Sequence, residues 1–428
     1  MKKAILVLAS LCALTAHAAS EWTFTPKLYV RGGFTQSLDL DAKGNGVTNF
    51  NPGSYGEESN AFMNNLTEGD LHATYGDKMK IVYGMNFDQT SRFEDSAGGD
   101  KTYKERQAYV EFYKAFNDKT TLWFGRRPYR GFGDYLTGAF PLDERNMFGG
   151  GIMIDNVGPG RYEFAYGTNE TGTDGTAAGD NYTTNFFLNK YIYNIDNGNI
   201  TVNFEWHQNN SKFAQYESNG FMAGAQYAKW NMNLLGASWY NIFVLNYSNG
   251  HLGDVEAGLM KSAYDSKDKD QKAQKVLFKI GGDIKADKWG AFYALRYQWH
   301  MGSLENATGS EYSNQNWQFV DIHFRPMYSL SDNFGLGFDG VARTVLHEGG
   351  KGILLDNKKN NRAQGQNMWR AGLIGTYHFT AGGKNMFENR EISIIVGRAH
   401  QQNEKEFFKG REAKNDANFV RFKYTMEI

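Results

Sequence analysis

Residues 289–300 read Trp-Gly-Ala-Phe-Tyr-Ala-Leu-Arg-Tyr-Gln-Trp-His. The odd positions hold Trp, Ala, Tyr, Leu, Tyr and Trp, whereas the polar residues, from Arg296 to His300, stand at even positions. A period of two is the pattern of a β-strand that has one apolar and one polar face. The stretch therefore predicts a strand with a tryptophan near each end.

The same alternation recurs along the chain, and we find no convincing amphipathic helix. It is clear in residues 200–207, 320–325 and 422–428. Polar stretches between such runs have the composition of solvated loops: 171–180, 266–275 and 356–366. They recur too evenly to mark a domain boundary, so the sequence predicts one continuous all-β architecture.

The composition excludes several classes of protein. Of 428 residues, 49 are Gly and 65 are aromatic, and the mean hydropathy is -0.59. Disordered chains lack aromatics, and beyond the N-terminal segment there is no apolar run of about 18 residues that could form a membrane helix. The 46 basic and 47 acidic residues nearly balance, which gives no indication of a nucleic-acid partner.

The N-terminal segment predicts export from the cytoplasm. Residues 1–18 combine a basic start, an apolar run over 4–14 and a small-x-small site at 16–18. These are the features of a secretory signal peptide, so we expect 19–428 to form the mature, single-domain chain. Cys12 lies inside the peptide, and the mature chain therefore has no thiol for disulfides, metal sites or nucleophilic catalysis.

Two all-β architectures fit the pattern. A soluble sandwich or propeller would bury its apolar face in protein, whereas an outer-membrane barrel turns that face to lipid and keeps its polar face around water. Aromatics at strand ends favour the barrel, since membrane barrels carry aromatic girdles at both interfaces. At ~23 to 26 residues per strand and loop, about 410 residues give roughly 16 to 18 strands, enough for an aqueous channel.

Motifs for chemistry are weak. Residues 335–340 match G-x-G-x-x-G but lie in a strand-like alternation without a following helix, and a dinucleotide site needs that helix. Residues 39–44 resemble a calcium loop in which Lys43 replaces an acceptor. We find neither a metal-ligand spacing among the nine His nor a nucleophile elbow, so we expect no cofactor and no enzyme.

Basic and aromatic residues are concentrated in 103–106 and 120–134, around a turn rich in Gly and Pro. One interpretation is an external loop with solvated charges. In a pore, the same residues would form a constriction if the loop folded inward.

With these segments in view, the sequence resembles the maltoporin family, the trimeric outer-membrane channels for maltodextrins and related sugars. The resemblance covers nearly the whole mature chain and implies an 18-stranded antiparallel barrel, surrounded by lipid, with an inward-folded constriction loop. The segments that resemble the family, in its order, are Tyr-Val-Arg-Gly-Gly at 29–33, Thr-Leu-Trp-Phe-Gly-Arg-Arg at 121–127, Gly-Gly-Gly-Ile-Met-Ile-Asp at 149–155, Asn-Ile-Phe-Val-Leu-Asn-Tyr at 241–247, Arg-Pro-Met-Tyr at 325–328, Met-Trp-Arg-Ala-Gly at 368–372 and Met-Glu-Ile at 426–428.

The resemblance also implies a sugar path, in which a line of aromatic rings, the slide, is flanked by a polar track. A pyranose has an apolar face that packs on an aromatic ring, while its hydroxyls need hydrogen-bond partners, preferably charged ones. Nine residues fall on family positions of this path: Tyr29, Phe93, Tyr240 and Phe387 on the slide, Arg31, Asp70 and Lys104 on the track, and Arg130 and Asp134 in the constriction loop.

The sequence departs from the family at several positions. Glu68 stands where the family has a second slide tyrosine, the chain ends at Ile428 without the family's closing aromatic pair, and two loop cysteines of some members are missing. Weaker or different sugar selectivity follows from such changes. Most aromatics must belong to the lipid-facing girdles, but Tyr29 shares its face with Arg31, which should not face lipid.

The sequence thus predicts a homotrimeric, sugar-selective porin of the bacterial outer membrane that passes oligosaccharides by facilitated diffusion. A general diffusion porin on the same fold is the main alternative, because slide positions are lost. A barrel enzyme or an adhesin is a third, based only on the long polar loops. Three of the predicted site residues, Lys104, Asp70 and Asp134, could equally be partners in salt bridges within loops.

Overall fold

The protein is all-β. Its computed structural model describes residues 21–38, 65–89, 102–133, 136, 142, 144–171, 182–209, 219–250, 274–301, 317–347, 367–379, 391–401 and 416–427. The strands are β1 (Trp22–Ser37), β2 (Asn65–Tyr75), β3 (Met79–Gln89), β4 (Thr102–Phe112), β5 (Thr120–Arg130), β6 (Glu144–Val157), β7 (Gly160–Thr171), β8 (Tyr182–Ile195), β9 (Gly198–Asn209), β10 (Asn219–Leu234), β11 (Ala237–Gly250), β12 (Gln274–Lys285), β13 (Trp289–Met301), β14 (Trp317–Ser329), β15 (Phe334–His347), β16 (Met368–His378), β17 (Glu391–Gln401) and β18 (Asp416–Glu427). The predicted signal peptide lies outside the described residues.

These strands form one closed barrel of 18 strands. Each strand pairs antiparallel with its neighbours in the sequence, and β1 pairs with β18 as well as with β2. Closure removes the edges of the sheet, because every strand has a partner on both sides. The predicted antiparallel barrel and its strand number are confirmed. None of the described residues belongs to a helix long and apolar enough to span a membrane.

The connections differ in length between the two ends of the barrel. At one end, here called the short-turn end, strands are joined by segments such as 158–159 and 235–236, whereas the opposite end has connections as long as 251–273. In the second short turn, Leu235 and Gly236 have φ angles of 52° and 84°. Positive φ at both central residues is typical of the two-residue hairpin turn that fits the twist of antiparallel strands.

An ion pair joins two of these turns on the surface. The ammonium group of Lys114, after β4, donates a hydrogen bond to the carboxylate of Asp77, between β2 and β3. This bond lowers the pKa of Asp77 and raises that of Lys114. Both side chains are exposed, so the pair contributes little to stability.

The wall has a polar inner face and an apolar outer face. On β9, Asn203 and Glu205 are almost fully buried inside, whereas Val202 and Phe204 are 52% and 43% exposed. On β13, Arg296 is buried and Trp289 is half exposed. Exposed apolar groups and buried polar groups invert the pattern of a soluble protein and suit a barrel that contacts lipid. The alternation predicted for 200–207 and 289–300 is confirmed.

Candidate functional site

The inner face of β1 carries the first pair of predicted sugar-path residues. Tyr29 lies directly opposite Glu68 of β2 and opposite Glu427 of β18. The guanidinium carbon of Arg31 lies 5.9 Å from the centroid of the Tyr29 ring. Directly opposed residues of an antiparallel pair point to the same face, so an aromatic ring, a cation and a carboxylate share one part of the lumen wall.

A charged triad continues this wall on β2 and β4. Arg106 donates from Nη1 to Glu68 Oε2 at 2.9 Å and from Nη2 to Asp70. Both carboxylates and the guanidinium are largely buried. Gly84 of β3, opposite Asp70, leaves the necessary space, because a Cβ at that position would overlap the Asp70 carboxylate. One arginine thus binds two carboxylates and holds the Glu68 side chain in place.

A β-bulge in β4 explains why sequence reasoning missed Arg106. Gly84 of β3 pairs with Gln107, but the next residue, Met85, pairs with Glu105, which leaves Arg106 as an extra residue. A bulge re-aims side chains and breaks the strict period of two. Beyond it, Lys104 pairs with Asn86, which itself pairs with Glu68, so the predicted track lysine stands on the same rung as the triad.

The described residues of the connection between β5 and β6 lie inside the barrel. The backbone N–H of Phe132 donates to Gln226 Oε1 at 3.4 Å, and Gln226 Nε2 donates to the carbonyl of Phe132 at 2.7 Å. The Phe132 ring also stacks on Trp230 at 5.7 Å. Because Gln226 and Trp230 belong to β10, five strands away from β5, the start of the connection reaches across the lumen. The described part of this connection confirms the predicted inward-folded constriction loop.

Tyr240 of β11 also contacts this loop. Its hydroxyl donates a hydrogen bond to the carbonyl of Gly133 at 3.0 Å. Two further loop residues, Leu136 and Leu142, are almost completely buried, and the Leu142 carbonyl accepts a bond from Asn203 of β9 at 3.5 Å. The predicted slide residue is therefore placed on the lumen wall where the constriction loop meets it.

The basic and aromatic cluster that the sequence showed around residue 127 encloses one cation. The Arg127 guanidinium carbon lies 5.3 to 5.4 Å from the ring centroids of Tyr109, Trp123 and Tyr129. Its Nη1 lies 3.0 Å from Glu111 Oε1. A guanidinium over aromatic faces is stabilised by the ring quadrupoles. Arg127 is thus part of the barrel wall rather than a solvated loop charge.

Arginines and aspartates form a second charged cluster on β13–β16. Arg296 and Arg343 both bind Asp321, with Nε distances of 2.9 and 2.6 Å. Arg325 and Arg370 bind Asp339, at 2.7 and 2.9 Å from their Nη2 atoms. Here each anion serves two cations, and all six groups are buried. In the sequence, each of these six residues stands at a position that alternates with the apolar, outward-facing positions of its strand.

The remaining predicted residues are only partly described. Lys104 and Arg130 lie in β4 and β5, but their side chains are outside the described part of the structure. Phe93, Asp134 and Phe387 fall outside the described residues altogether. The structure places Tyr29 opposite Glu68 and next to Arg31, and Asp70 shares Arg106 with Glu68. Tyr240 lies at the constriction loop, six strands from β5 in the sheet.

The chain matches one protein family over most of its length. The LamB porin family, the maltoporins, matches residues 24–420. A search among curated proteins gave no match. The family and the fold indicate a channel rather than an enzyme.

Solved porin structures resemble the fold at low sequence identity. A BenF-like porin from Pseudomonas fluorescens Pf-5 is 9% identical, with a TM-score of 0.50 over 95% of this chain and 99% of that chain. OccAB1 of Acinetobacter baumannii is 10% identical, with a TM-score of 0.49 over 95% and 96%. OccD3 of Pseudomonas aeruginosa is 12% identical, with a TM-score of 0.46 over 95% and 91%. Because the family match spans most of the chain and the barrel is a closed porin fold, the protein belongs to the LamB porin family and forms a channel in the bacterial outer membrane.

Proposed function

We propose that this porin passes maltodextrins or related oligosaccharides by facilitated diffusion, along aromatic rings flanked by a charged track. The observation that carries the proposal is the grouping of Tyr29, Arg31 and Glu68 on one part of the lumen wall, next to Arg106 and Asp70. The combination of a ring and fixed charges matches the two faces of a sugar, one apolar and one hydroxylated.

Selectivity of this kind needs weak and repeated binding. A sugar that binds one tight site would not leave, whereas several shallow sites along the lumen allow it to move on. We assign Tyr240, Phe93 and Phe387 to further slide positions on the basis of the family resemblance alone. On the same basis, Lys104 belongs to the proposed track, and Arg130 and Asp134 belong to the constriction loop. The proposal also includes assembly as a homotrimer.

The test is current recording from the purified porin in planar bilayers. Maltohexaose should block the open channel with saturable concentration dependence, and shorter maltodextrins should block less. Tyr29→Ala should raise the half-blocking concentration about three- to tenfold, the size expected for the loss of one aromatic packing surface. Tyr83→Ala on the outer face of β3, where the ring is 45% exposed, is the matched control and should leave block unchanged.

A general diffusion porin is the second candidate, and one observation favours it. Glu68 occupies a slide position and is tied to Arg106 at 2.9 Å, so the aromatic line is interrupted near Tyr29. In that case block would rise linearly with sugar concentration and would not depend on chain length. Saturable block that is insensitive to Tyr29→Ala would keep sugar selectivity but remove Tyr29 from the path.

A further inference from the structure

Two lysines face the lumen near the short-turn end of the barrel, and each stands opposite a carboxylate. Lys27 of β1 pairs in register with Asp70 of β2, and Lys80 of β3 pairs with Glu111 of β4. Directly opposed residues of opposite charge usually attract each other across a strand pair. Among the described residues, however, neither ammonium group forms an ion pair with a carboxylate.

The Asp70 carboxylate is turned away from Lys27. It binds Arg106 of β4, and its Oδ1 atom lies over Gly84 of β3, where a Cβ would overlap it. Oδ1 is also buried, so it is not accessible from the lumen. The carboxylate therefore leans toward β3 and β4, whereas Lys27 stands on β1, on the other side of β2.

The Glu111 carboxylate is turned away from Lys80 in the same manner. Its Oε1 lies 3.0 Å from Nη1 of Arg127 on β5, and its Oε2 accepts a hydrogen bond from the Tyr113 hydroxyl at 3.0 Å. Both oxygens are thus engaged on the side of β4 that faces away from Lys80. In both strand pairs, an arginine one strand further along holds the carboxylate that stands opposite the lysine.

Three further carboxylates near the short-turn end have other neighbours: Asp77 binds Lys114, Glu21 interacts with the hydroxyl of the outer-face Tyr75, and Glu427 lies opposite Tyr29. None of the three stands opposite Lys27 or Lys80 in the strand register.

His72 of β2 lies between the two lysines on the inner face. Lys27 and Lys80 are its diagonal neighbours on β1 and β3. Diagonal neighbours are about 7–8 Å apart, within reach of long side chains, and both ammonium groups interact electrostatically with the imidazole. Thr25 stands directly opposite His72 and Thr74 directly opposite Lys80, so two hydroxyls line the same surface. Lys27 is exposed and the other two basic residues are half-buried, so all three contact the water of the lumen.

We propose that Lys27, His72 and Lys80, here called the mouth site, bind an oxyanion such as phosphate inside the periplasmic mouth of the channel. The short turns of outer-membrane barrels lie on the periplasmic side. Lysine binds phosphate as a point charge, while an imidazole N–H and threonine hydroxyls can donate further hydrogen bonds. A bound anion also relieves the repulsion between two like charges. The site is additional to the sugar path and does not depend on sugar selectivity.

Two sources can supply the oxyanion: a free phosphate ion, or a phosphate group carried by a sugar. Tyr29 follows Lys27 by two residues on the same face of β1, a distance of about 7 Å along the strand. A sugar phosphate whose ring packs on Tyr29 can therefore reach the mouth site with its charged group. The chemistry of the site is the same in both cases, and the source is decided by experiment.

The first measurement is isothermal titration calorimetry of inorganic phosphate into the purified porin, in a zwitterionic detergent at low salt. Lys27→Gln and Lys80→Gln should each weaken phosphate binding about two- to fivefold, the range expected for solvent-exposed ion pairs. Thr25→Glu puts a carboxylate opposite His72 and should abolish phosphate binding while both lysines remain in place.

Lys78→Gln is the matched control for these variants. The Lys78 ammonium group lies at the same end of the barrel but 5.3 Å from the ring of the outer-face Tyr75, so its loss should leave phosphate binding unchanged. Each variant should migrate as folded protein on an unheated denaturing gel. A native porin that does not bind phosphate, or that binds it no more tightly than the Thr25→Glu variant, overturns the proposal.

The second measurement compares channel block by maltohexaose and by maltohexaose 1-phosphate, each added on the short-turn side. Tighter block by the phosphorylated sugar, lost when Lys27→Gln and Lys80→Gln are combined, supports the mouth site and shows that the sugar carries the oxyanion. Equal block by both sugars, together with phosphate binding in the calorimeter, supports the site as one for the free ion. Block by neutral maltohexaose tests the proposed function separately, because it involves no oxyanion.

Discussion

A single tyrosine on the lumen wall can act through two different groups. The ring of Tyr240 stands at a proposed slide position, and its hydroxyl holds the constriction loop through the carbonyl of Gly133 at 3.0 Å. Removal of the whole side chain would therefore change the sugar path and the loop together. A substitution that removes only the hydroxyl separates the two contributions.

We expect Tyr240→Phe to retain sugar block but to loosen the constriction loop. One neutral hydrogen bond contributes about 1 kcal/mol, so the loop should leave its position more often and the open-channel current should become noisier. Tyr240→Ala should show both noise and weaker block. Tyr247→Phe is the matched control, because Tyr247 lies on the same strand but bonds Gln274 at 2.9 Å on the outer side. Equal noise in both Phe variants would contradict an anchoring role for Tyr240.

The sequence predicts correctly which face of a strand a side chain occupies where the period of two is unbroken. Tyr29 and Arg31 could be placed on one inner face from parity alone, since alternate residues of a strand share a face. Arg106 could not, because the bulge in β4 adds a residue whose position depends on the pairing with β3. The bond from Tyr240 to Gly133 joins residues 107 apart in the sequence, and no local pattern encodes it.

At the scale of elements, neighbouring strands fit together through glycines that accept large side chains. Trp123 of β5 is fully buried and lies opposite Gly151 of β6. A Cβ at Gly151 would overlap the Trp123 indole and lie 2.6 Å from the carbonyl oxygen of Phe164. The indole packs in a cluster with Tyr129 and Met147 inside the wall that leads into the constriction loop.

We therefore expect Gly151→Ala to destabilise the barrel by roughly 1–3 kcal/mol, the usual cost of overpacking a filled interior. The readout is the urea midpoint, or the temperature at which the folded band is lost on an unheated denaturing gel. Gly375→Ala on β16 is the control, since its added Cβ would meet only Leu336 and Phe334 at 3.6 Å or more. Unchanged stability of Gly151→Ala would show that the indole can move aside.

Strands were predictable because their apolar faces are exposed to lipid along their whole length, which fixes a clear period of two. The constriction loop was predictable only in outline. Its composition, with aromatics and charges beside Gly and Pro, fitted an external loop or a constriction, and the inward fold was predicted from the family resemblance. Its actual contacts, from Phe132 to Gln226 and Trp230, depend on the closure of the barrel. Such contacts arise from the tertiary structure and have no signature in the segment itself.

For the molecule as a whole, length predicted roughly 16 to 18 strands and the family resemblance predicted 18, but neither predicted the charge distribution. The sequence is nearly neutral, with 46 basic and 47 acidic residues, and composition alone gave no indication of a charged partner. Closure of β1 on β18 places the cluster of arginines with Asp321 and Asp339 on one part of the lumen wall and Arg106 with its two carboxylates on another. The grouping of these charges is therefore a property of the fold.

The number of pores in the assembled channel follows from the closed barrel. A closed barrel of 18 strands encloses its own pore, so a homotrimer should contain three independent pores rather than one shared pore. A blocking oligosaccharide should then close a single inserted channel in three equal steps of conductance, and the unheated protein should migrate at three times the mass of the heated chain. A channel that closes in one step and migrates as a single chain would contradict the trimer.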